Sequence, residues 1–175
     1  MNTAVFGGGC FWCTEAVFAA LRGVHAVEPG YCGGTEISPT YEQVCTGQTG
    51  HIEVVRVTFD ESIISYETLL NLFFATHDPT TPGRQGHDVG PQYQSVIFAQ
   101  DPEQMKEAQS KITQLDAQSV FSAPICTMVL GAQRFWVAEP YHHSFFEKNP
   151  GQGYCQVVVA PKVLKLKSKY SHLLK

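Results

Sequence analysis

The densest chemistry in this chain lies near its N-terminus. There Gly7-Gly8-Gly9 runs into Cys10-Phe11-Trp12-Cys13-Thr14-Glu15, directly after the apolar stretch Ala4-Val5-Phe6. The layout reads as a strand, a glycine turn, and a helix whose first turn carries a cysteine. A helix start offers unpaired backbone N–H groups and a partial positive charge. Both favour thiolate over thiol, and the thiolate is the nucleophile. As a bare C-x-x-C, Cys10 and Cys13 have three readings: a redox pair, half of a zinc site, or two buried small hydrophobes. No second C-x-x-C follows, and Cys32, Cys45, Cys126 and Cys155 are scattered, so a metal site is not expected. The glycines before Cys10 suit close approach of a ligand to backbone.

Three further groups are candidates. Glu53 lies in His51-Ile52-Glu53-Val54-Val55-Arg56-Val57-Thr58-Phe59, on the strand face that carries Val55, Val57 and Phe59. If that face is buried, the carboxyl loses hydration, keeps its proton near neutrality and acts as a general acid; if the strand end is wet, it is a surface charge. The polar segment 78–92 carries Arg84, His87 and Asp88, followed by Tyr93. Such segments are either functional or plain solvated loop. Cys155 follows Gly151 and Gly153, which predict a mobile arm able to bring this thiol to another at modest loop-closure cost. His142 and His143 are adjacent, so they do not share a helix face and make a poor metal motif.

The elements that must position these groups follow from periodicity. Strands are predicted over 4–7, 24–31, 51–59, 95–99, 125–130 and 157–159. Helices are predicted over 10–22, over 66–76 with Ser65 as N-cap, after Asp101-Pro102, over 141–148 and over 162–174. Strands and helices mix without strict alternation, which indicates α+β. The chain has 175 residues, 43% apolar and 16% charged, enough for one packed domain without staples. A net charge of −4 gives no support to a nucleic-acid partner, and the basic stretch 162–169 reads as a solvated terminal helix. No apolar run reaches membrane-spanning length and no signal peptide is visible, so a cytoplasmic home is expected, with the six cysteines reduced, catalytic or metal-binding.

Together the segments resemble the methionine sulfoxide reductase A family, the peptide-methionine (S)-S-oxide reductases. The resemblance rests on an ordered set of motifs: Gly9-Cys10-Phe11-Trp12 with Glu15, Gly30-Tyr31-Cys32-Gly33-Gly34, and Pro39-Thr40-Tyr41 leading to Val44-Cys45-Thr46-Gly47. Then come Thr49-Gly50-His51-Ile52-Glu53, His77-Asp78-Pro79, Arg84 through Gly90 with Gln92-Tyr93, Glu139-Pro140-Tyr141-His142, and Asn149-Pro150 through Gly153-Tyr154-Cys155. It spans roughly residues 4–160. It implies a single catalytic domain over 1–175, with a two-layer α/β sandwich on a mixed sheet, a ferredoxin-like βαββαβ elaboration. It implies that Cys10 is the catalytic cysteine, that Glu53 is the acid, and that Tyr41 and Tyr93 carry hydroxyls near the sulfoxide oxygen. Phe11 and Trp12 would wall the pocket for the sulfoxide methyl group, and Asp88 would help to hold the substrate. It also implies oxidised proteins, peptides or free methionine sulfoxide as substrate, thioredoxin as reductant, no metal or organic cofactor, and a monomer. Where the family often has Gly after Phe-Trp, this chain has Cys13, so Cys13 and Cys155 are both candidates to resolve a Cys10 sulfenic acid, with Cys155 favoured for its arm. A general thiol–disulfide oxidoreductase and a peptide-binding module are the competing readings; neither accounts for Glu53, Asp88 and Tyr93 together.

Overall fold

A computed structural model describes residues 1–175. Its core is a βαββαβ unit. Strand β1 (Asn2–Gly7) leads through the glycine turn to helix α1 (Phe11–Ala19). Strand β2 (Val24–Cys32) is joined to β3 (Ile52–Phe59) by an excursion that contains the short helix α2 (Tyr41–Cys45). Helix α3 (Tyr66–Ala75) returns past a small hairpin, β4 (Arg84–Gln85) and β5 (Asp88–Val89), to β6 (Val96–Ala99). The core strands lie in the order β6-β1-β3-β2, all antiparallel neighbours, which is the ferredoxin-like arrangement. Helix α4 (Pro102–Ala117) then carries the chain to β7 (Met128–Gly131), which adds parallel to β6 and makes the sheet mixed. Strand β8 (Trp136–Val137) closes the other edge against β2. No helix is long and apolar enough to cross a membrane.

Local signals match these elements where capping chemistry is strong. The Ser65 side chain accepts from Thr68 N–H at the start of α3, and Asp101 accepts from Gln104 N–H ahead of Pro102. Each cap contributes about 1 kcal/mol. Gln104 does not close a reciprocal box on Asp101; its amide reaches the carbonyl of Thr3 and the N–H of Gln100, tying α4 to β1. On the helix-covered face of the sheet Val55, Val57 and Phe59 of β3 join Phe6, Phe11, Phe18, Leu69 and Phe73 in one buried cluster. Val5, Ile52, Val54, Val96 and Phe98 form a second cluster on the opposite face. Both faces of β3 are therefore covered, and Glu53 is carried inward with the helix-side residues.

The C-terminal third departs from the predicted elements. Helix 141–148 is interrupted: a 3-10 turn over Pro140–His142 and α5 (Phe145–Lys148) are separated by Ser144, whose φ is +53°. The strand expected over 157–159 is a π-helical turn over Cys155–Val159 that continues into α6 (Ala160–Lys169). The β-branched run is overridden by packing. Cys155 and Val159, four residues apart, bury together against Cys13 of α1, while Val157 faces solvent. The basic stretch is also not wholly solvated, because Leu166 is buried and Lys165 Nζ donates to the Ala75 carbonyl. Smaller differences are that α1 ends at Ala19, β7 begins at Met128, and segment 78–92 contains the β4–β5 hairpin.

The turn before Cys10 depends on Gly9. Its φ is +94°, and an added Cβ would lie 2.7 Å from the Gln85 side chain. Gly83 also has a left-handed φ, +62°, but open space around it. Gly9→Ala should lower the unfolding free energy by about 1–3 kcal/mol and Gly83→Ala by about 1 kcal/mol. Urea unfolding at unchanged slope checks this order; equal losses would show that contact with Gln85 contributes nothing.

Candidate active site

Cys10 is the N-cap of α1, with extended ψ and no capping bond from its side chain; the N–H of Cys13 donates to its carbonyl at 3.1 Å. Cys13 therefore sits one turn on, above the same helix end. Beside them Glu53 enters from β3. One carboxyl oxygen, Oε1, accepts the N–H of Phe11 at 3.1 Å, which is one of the free donors of the helix start. The other oxygen, Oε2, is buried with no protein partner, and the residue is 1% exposed. A buried carboxyl oxygen without a partner is costly if ionised. Burial accordingly raises the Glu53 pKa to about 8, opposed by the Phe11 N–H and helped by the charges of Asp88 and Cys13. At neutral pH Glu53 holds a proton.

The cysteines divide their titration in an unexpected way. Cys10 is pushed well above the ordinary thiol range, first by burial, then by its hydrogen bond to Cys13 and the charge of Glu53; the backbone of Trp12 opposes this only in part. Cys13 is lowered to about 7, first by the bond from Cys10, against burial, with help from Lys162 and the Tyr154 hydroxyl. The helix start alone predicts Cys10 as the resting thiolate; in the folded protein Cys10 is raised and Cys13 lowered, so Cys13 is the more acidic of the two. Burial of Cys10 beside an acid outweighs the helix end.

Three loop groups converge on the same place. Tyr41 begins α2, which is fixed by a capping box between Thr40 and Gln43. Tyr93 ends a 3-10 turn over Pro91–Tyr93, and Asp88 lies in β5. Both phenols are raised above their usual range by burial first and by the Glu53 charge next, so they stay protonated donors. Asp88 Oδ2 accepts the Tyr154 hydroxyl at 2.6 Å, and that hydroxyl lies 3.9 Å from Cys13 Sγ. Phe11 is buried among Tyr31, Tyr41 and His142, forming the floor of the site. Trp12 is half-buried and stands at the edge. Its ring stacks flat on Phe145 at 3.8 Å, and its Nε1–H donates to His142 Nδ1 at 3.0 Å.

The site residues implied by the resemblance thus meet here except one, while Arg84 of the polar segment is exposed and donates to the Gly86 carbonyl instead. Cys155 is buried in its π-helical turn and packs against Cys13, not Cys10, so in this structure the segment after Gly151 and Gly153 is packed helix. Sequence reasoning assigned no role to Tyr154, His142, Phe145 or Glu139. Glu139 accepts both the Tyr31 hydroxyl and the Tyr41 N–H, each at 2.8 Å, and so sets where Tyr41 stands. These residues lie in irregular segments with no periodicity to mark them. No group of three or more His, Cys, Asp and Glu side chains is arranged to hold a metal ion. The largest cavity, about 710 Å³, is lined by Phe74, His77, Leu115 and Lys162 among others and contains neither Cys10 nor Glu53. Converging titratable groups, not volume, mark the site.

A nucleophile pair at a helix start, a protonated acid with a free oxygen, two phenols and an aromatic wall agree with the family comparison. The model for peptide methionine sulfoxide reductase matches residues 2–174. The chain belongs to the peptide methionine sulfoxide reductase family. It is 54% identical over 178 residues to a peptide methionine sulfoxide reductase MsrA of Ralstonia nicotianae, covering 99% of this chain and 93% of that one. To the MsrA of Deinococcus radiodurans it is 56% identical over 172 residues, 98% of this chain and 84% of the other. The crystal structure of Mxr1 from Saccharomyces cerevisiae in reduced form superposes with a TM-score of 0.78 at 30% identity, over 88% of each chain.

Family membership leaves the protonation of Glu53 to be checked directly. Between the ordinary glutamate range and about 8, the folded protein holds a proton that the unfolded chain has lost. Stability therefore falls as pH rises through that window, by a few kcal/mol at most. Glu53→Gln, which removes the titration, should raise Tm by several degrees more at pH 9 than at pH 5. An equal shift at both pH values would place the Glu53 pKa in the ordinary range.

Proposed function

We propose that this chain reduces methionine S-sulfoxide, free or in proteins, to methionine, as one catalytic domain and with a dithiol protein of thioredoxin type as reductant. The observation that carries the reading is Glu53: a carboxyl that keeps its proton to about pH 8 and offers an unpartnered oxygen beside Cys10. A sulfoxide oxygen is the acceptor such a group suits. It gains basicity as the S–O bond weakens, so the acid interacts most strongly in the transition state.

In the proposed reaction Phe11 and Trp12 receive the methyl group, and Asp88 with Tyr154 borders the substrate. The Cys10 proton moves to Cys13, leaving Cys10 as thiolate. Cys10 Sγ attacks the sulfoxide sulfur while Glu53 delivers its proton to the oxygen and the phenols of Tyr41 and Tyr93 donate to it. Methionine leaves and Cys10 becomes a sulfenic acid. The Cys13 thiol then displaces water to form a Cys10–Cys13 disulfide, which the dithiol reductant opens by exchange. Cys13 is favoured over Cys155 as the resolving thiol because it stands one helical turn from Cys10, its N–H on the Cys10 carbonyl, whereas Cys155 lies behind Cys13 in a packed helical turn. Six unpaired thiols suit a reducing, cytoplasmic setting.

With methionine S-sulfoxide and dithiothreitol, Cys10→Ser should have no turnover. Glu53→Gln should slow sulfenic acid formation in a single turnover by about 10²–10⁴-fold. Normal turnover in Cys10→Ser, or insulin-disulfide reduction without sulfoxide reduction, would overturn the assignment. Mass mapping after one turnover without reductant should find Cys10 linked to Cys13; a Cys10–Cys155 link would contradict the choice of resolving thiol.

A further inference from the structure

Glu15 takes no part in the proposed chemistry, yet it is a carboxylate 4% exposed on the catalytic helix. Its partner is backbone. Oε2 accepts the N–H of Ser144 at 2.9 Å, and the carboxylate also faces the N–H of Phe145. These are the free donors at the start of α5, whose N-cap Ser144 makes no side-chain capping bond and stands at φ +53°. A non-glycine residue in that region is held there by its surroundings. Here the carboxylate of another helix caps the turn from outside. The turn in turn carries Phe145 onto one face of Trp12, 3.8 Å away and 5° from parallel, and follows directly on His142, which holds the Trp12 N–H. Phe145 thus covers one large face of the indole.

The geometry points to Glu15 as a positioning residue that sets the width of the methyl pocket: by capping the Ser144 turn it locks Phe145 behind Trp12, and so fixes the wall that meets the sulfoxide methyl group. This rests on the sulfoxide reductase reading, and it makes Glu15 a determinant of substrate size. It requires no contact between Glu15 and substrate. Without the cap, the left-handed turn relaxes, Phe145 leaves the indole, and Trp12 gains rotamer freedom. A loosened wall weakens binding of the small methyl group and tolerates a larger one, since a hydrophobic pocket discriminates one methylene by about 10–200-fold.

The test compares Glu15→Ala, Glu15→Gln and wild type on methionine S-sulfoxide and on its S-ethyl analogue, ethionine S-sulfoxide. Glu15→Ala should raise KM for the methyl substrate by about tenfold with kcat within about threefold, and should cut the methyl-over-ethyl preference in kcat/KM by about tenfold. Glu15→Gln keeps an acceptor in place and should restore both to within about threefold of wild type. In a Trp136→Phe background, acrylamide quenching of Trp12 fluorescence should rise in Glu15→Ala and not in Glu15→Gln. Glu15→Asp, one methylene short of Ser144, should give the alanine pattern at smaller amplitude and serves if Glu15→Ala does not fold. Unchanged methyl-over-ethyl preference with unchanged Trp12 quenching in Glu15→Ala or Glu15→Asp overturns the inference. So does a glutamine variant as impaired as alanine. The quenching requires no turnover, so it separates failure of this inference from failure of the sulfoxide reductase reading, which the wild-type assay alone decides.

Discussion

The contact between Glu53 and the start of α1 is the constraint on which the rest of the site depends. One carboxyl oxygen pins the Phe11 N–H, joining the central strand of the sheet to the turn that presents Cys10. The other is sealed from water with nothing to bond. A carboxylate in that position would be unsatisfied and would repel a thiolate beside it, so the stable arrangement puts a proton on Glu53 and leaves Cys13 the more acidic thiol of the pair. The same desolvation thus keeps protons on both Glu53 and Cys10. The arrangement disfavours folding at high pH, and the rigid hydrophobic packing of β3 between two covered faces offsets that cost.

Around this contact the protein assembles the site from three layers of unequal stiffness. The βαββαβ core supplies Cys10, Phe11, Trp12, Cys13 and Glu53 from β1–α1 and β3. The two excursions from the core supply Tyr41, Asp88 and Tyr93, and each is tied back: Tyr41 by its N–H to Glu139, and Asp88 by the Tyr154 hydroxyl. The irregular C-terminal segment lies over both and contributes Glu139, His142, Phe145 and Tyr154. A sulfoxide needs a nucleophile on sulfur, a proton on oxygen and a shaped apolar wall for its carbon. The core presents the groups for all three, the excursions and the C-terminal segment surround them, and the hydrogen bonds between layers hold the distances.

The legibility of the sequence follows the same division. Where side-chain periodicity and capping chemistry agree with burial, as in β3, α3 behind Ser65 and α4 behind Asp101, elements and core faces are readable in advance. The inward direction of Glu53 follows from Val55, Val57 and Phe59, but its burial does not: the end of that strand face could be wet, and only the packing of α1 and Phe11 over it decides. The C-terminal segment is where reading by pattern fails. Val157-Val158-Val159 has strand propensity, yet no free sheet edge receives it, and burying Cys155 and Val159 against α1 requires helical spacing. For the same reason Cys155, despite two nearby glycines, is packed in a helical turn here. Long-range contacts such as Glu139 with Tyr31 and Tyr41, or Glu15 with Ser144, leave no local trace. The family resemblance marks their segments without saying what they do.

The central claim is that Glu53 is a neutral acid at physiological pH, and the most direct measurement is its own titration. With glutamate labelled by ¹³C at the side-chain carboxyl, and Glu53→Gln to assign the resonance, the Glu53 signal in the reduced protein should titrate with a midpoint near 8. That midpoint would stand well above the ordinary glutamate value of about 4.3. A Glu53 midpoint in that ordinary range would mean that the carboxyl is ionised in the resting protein, and would contradict the proposal that it protonates the substrate.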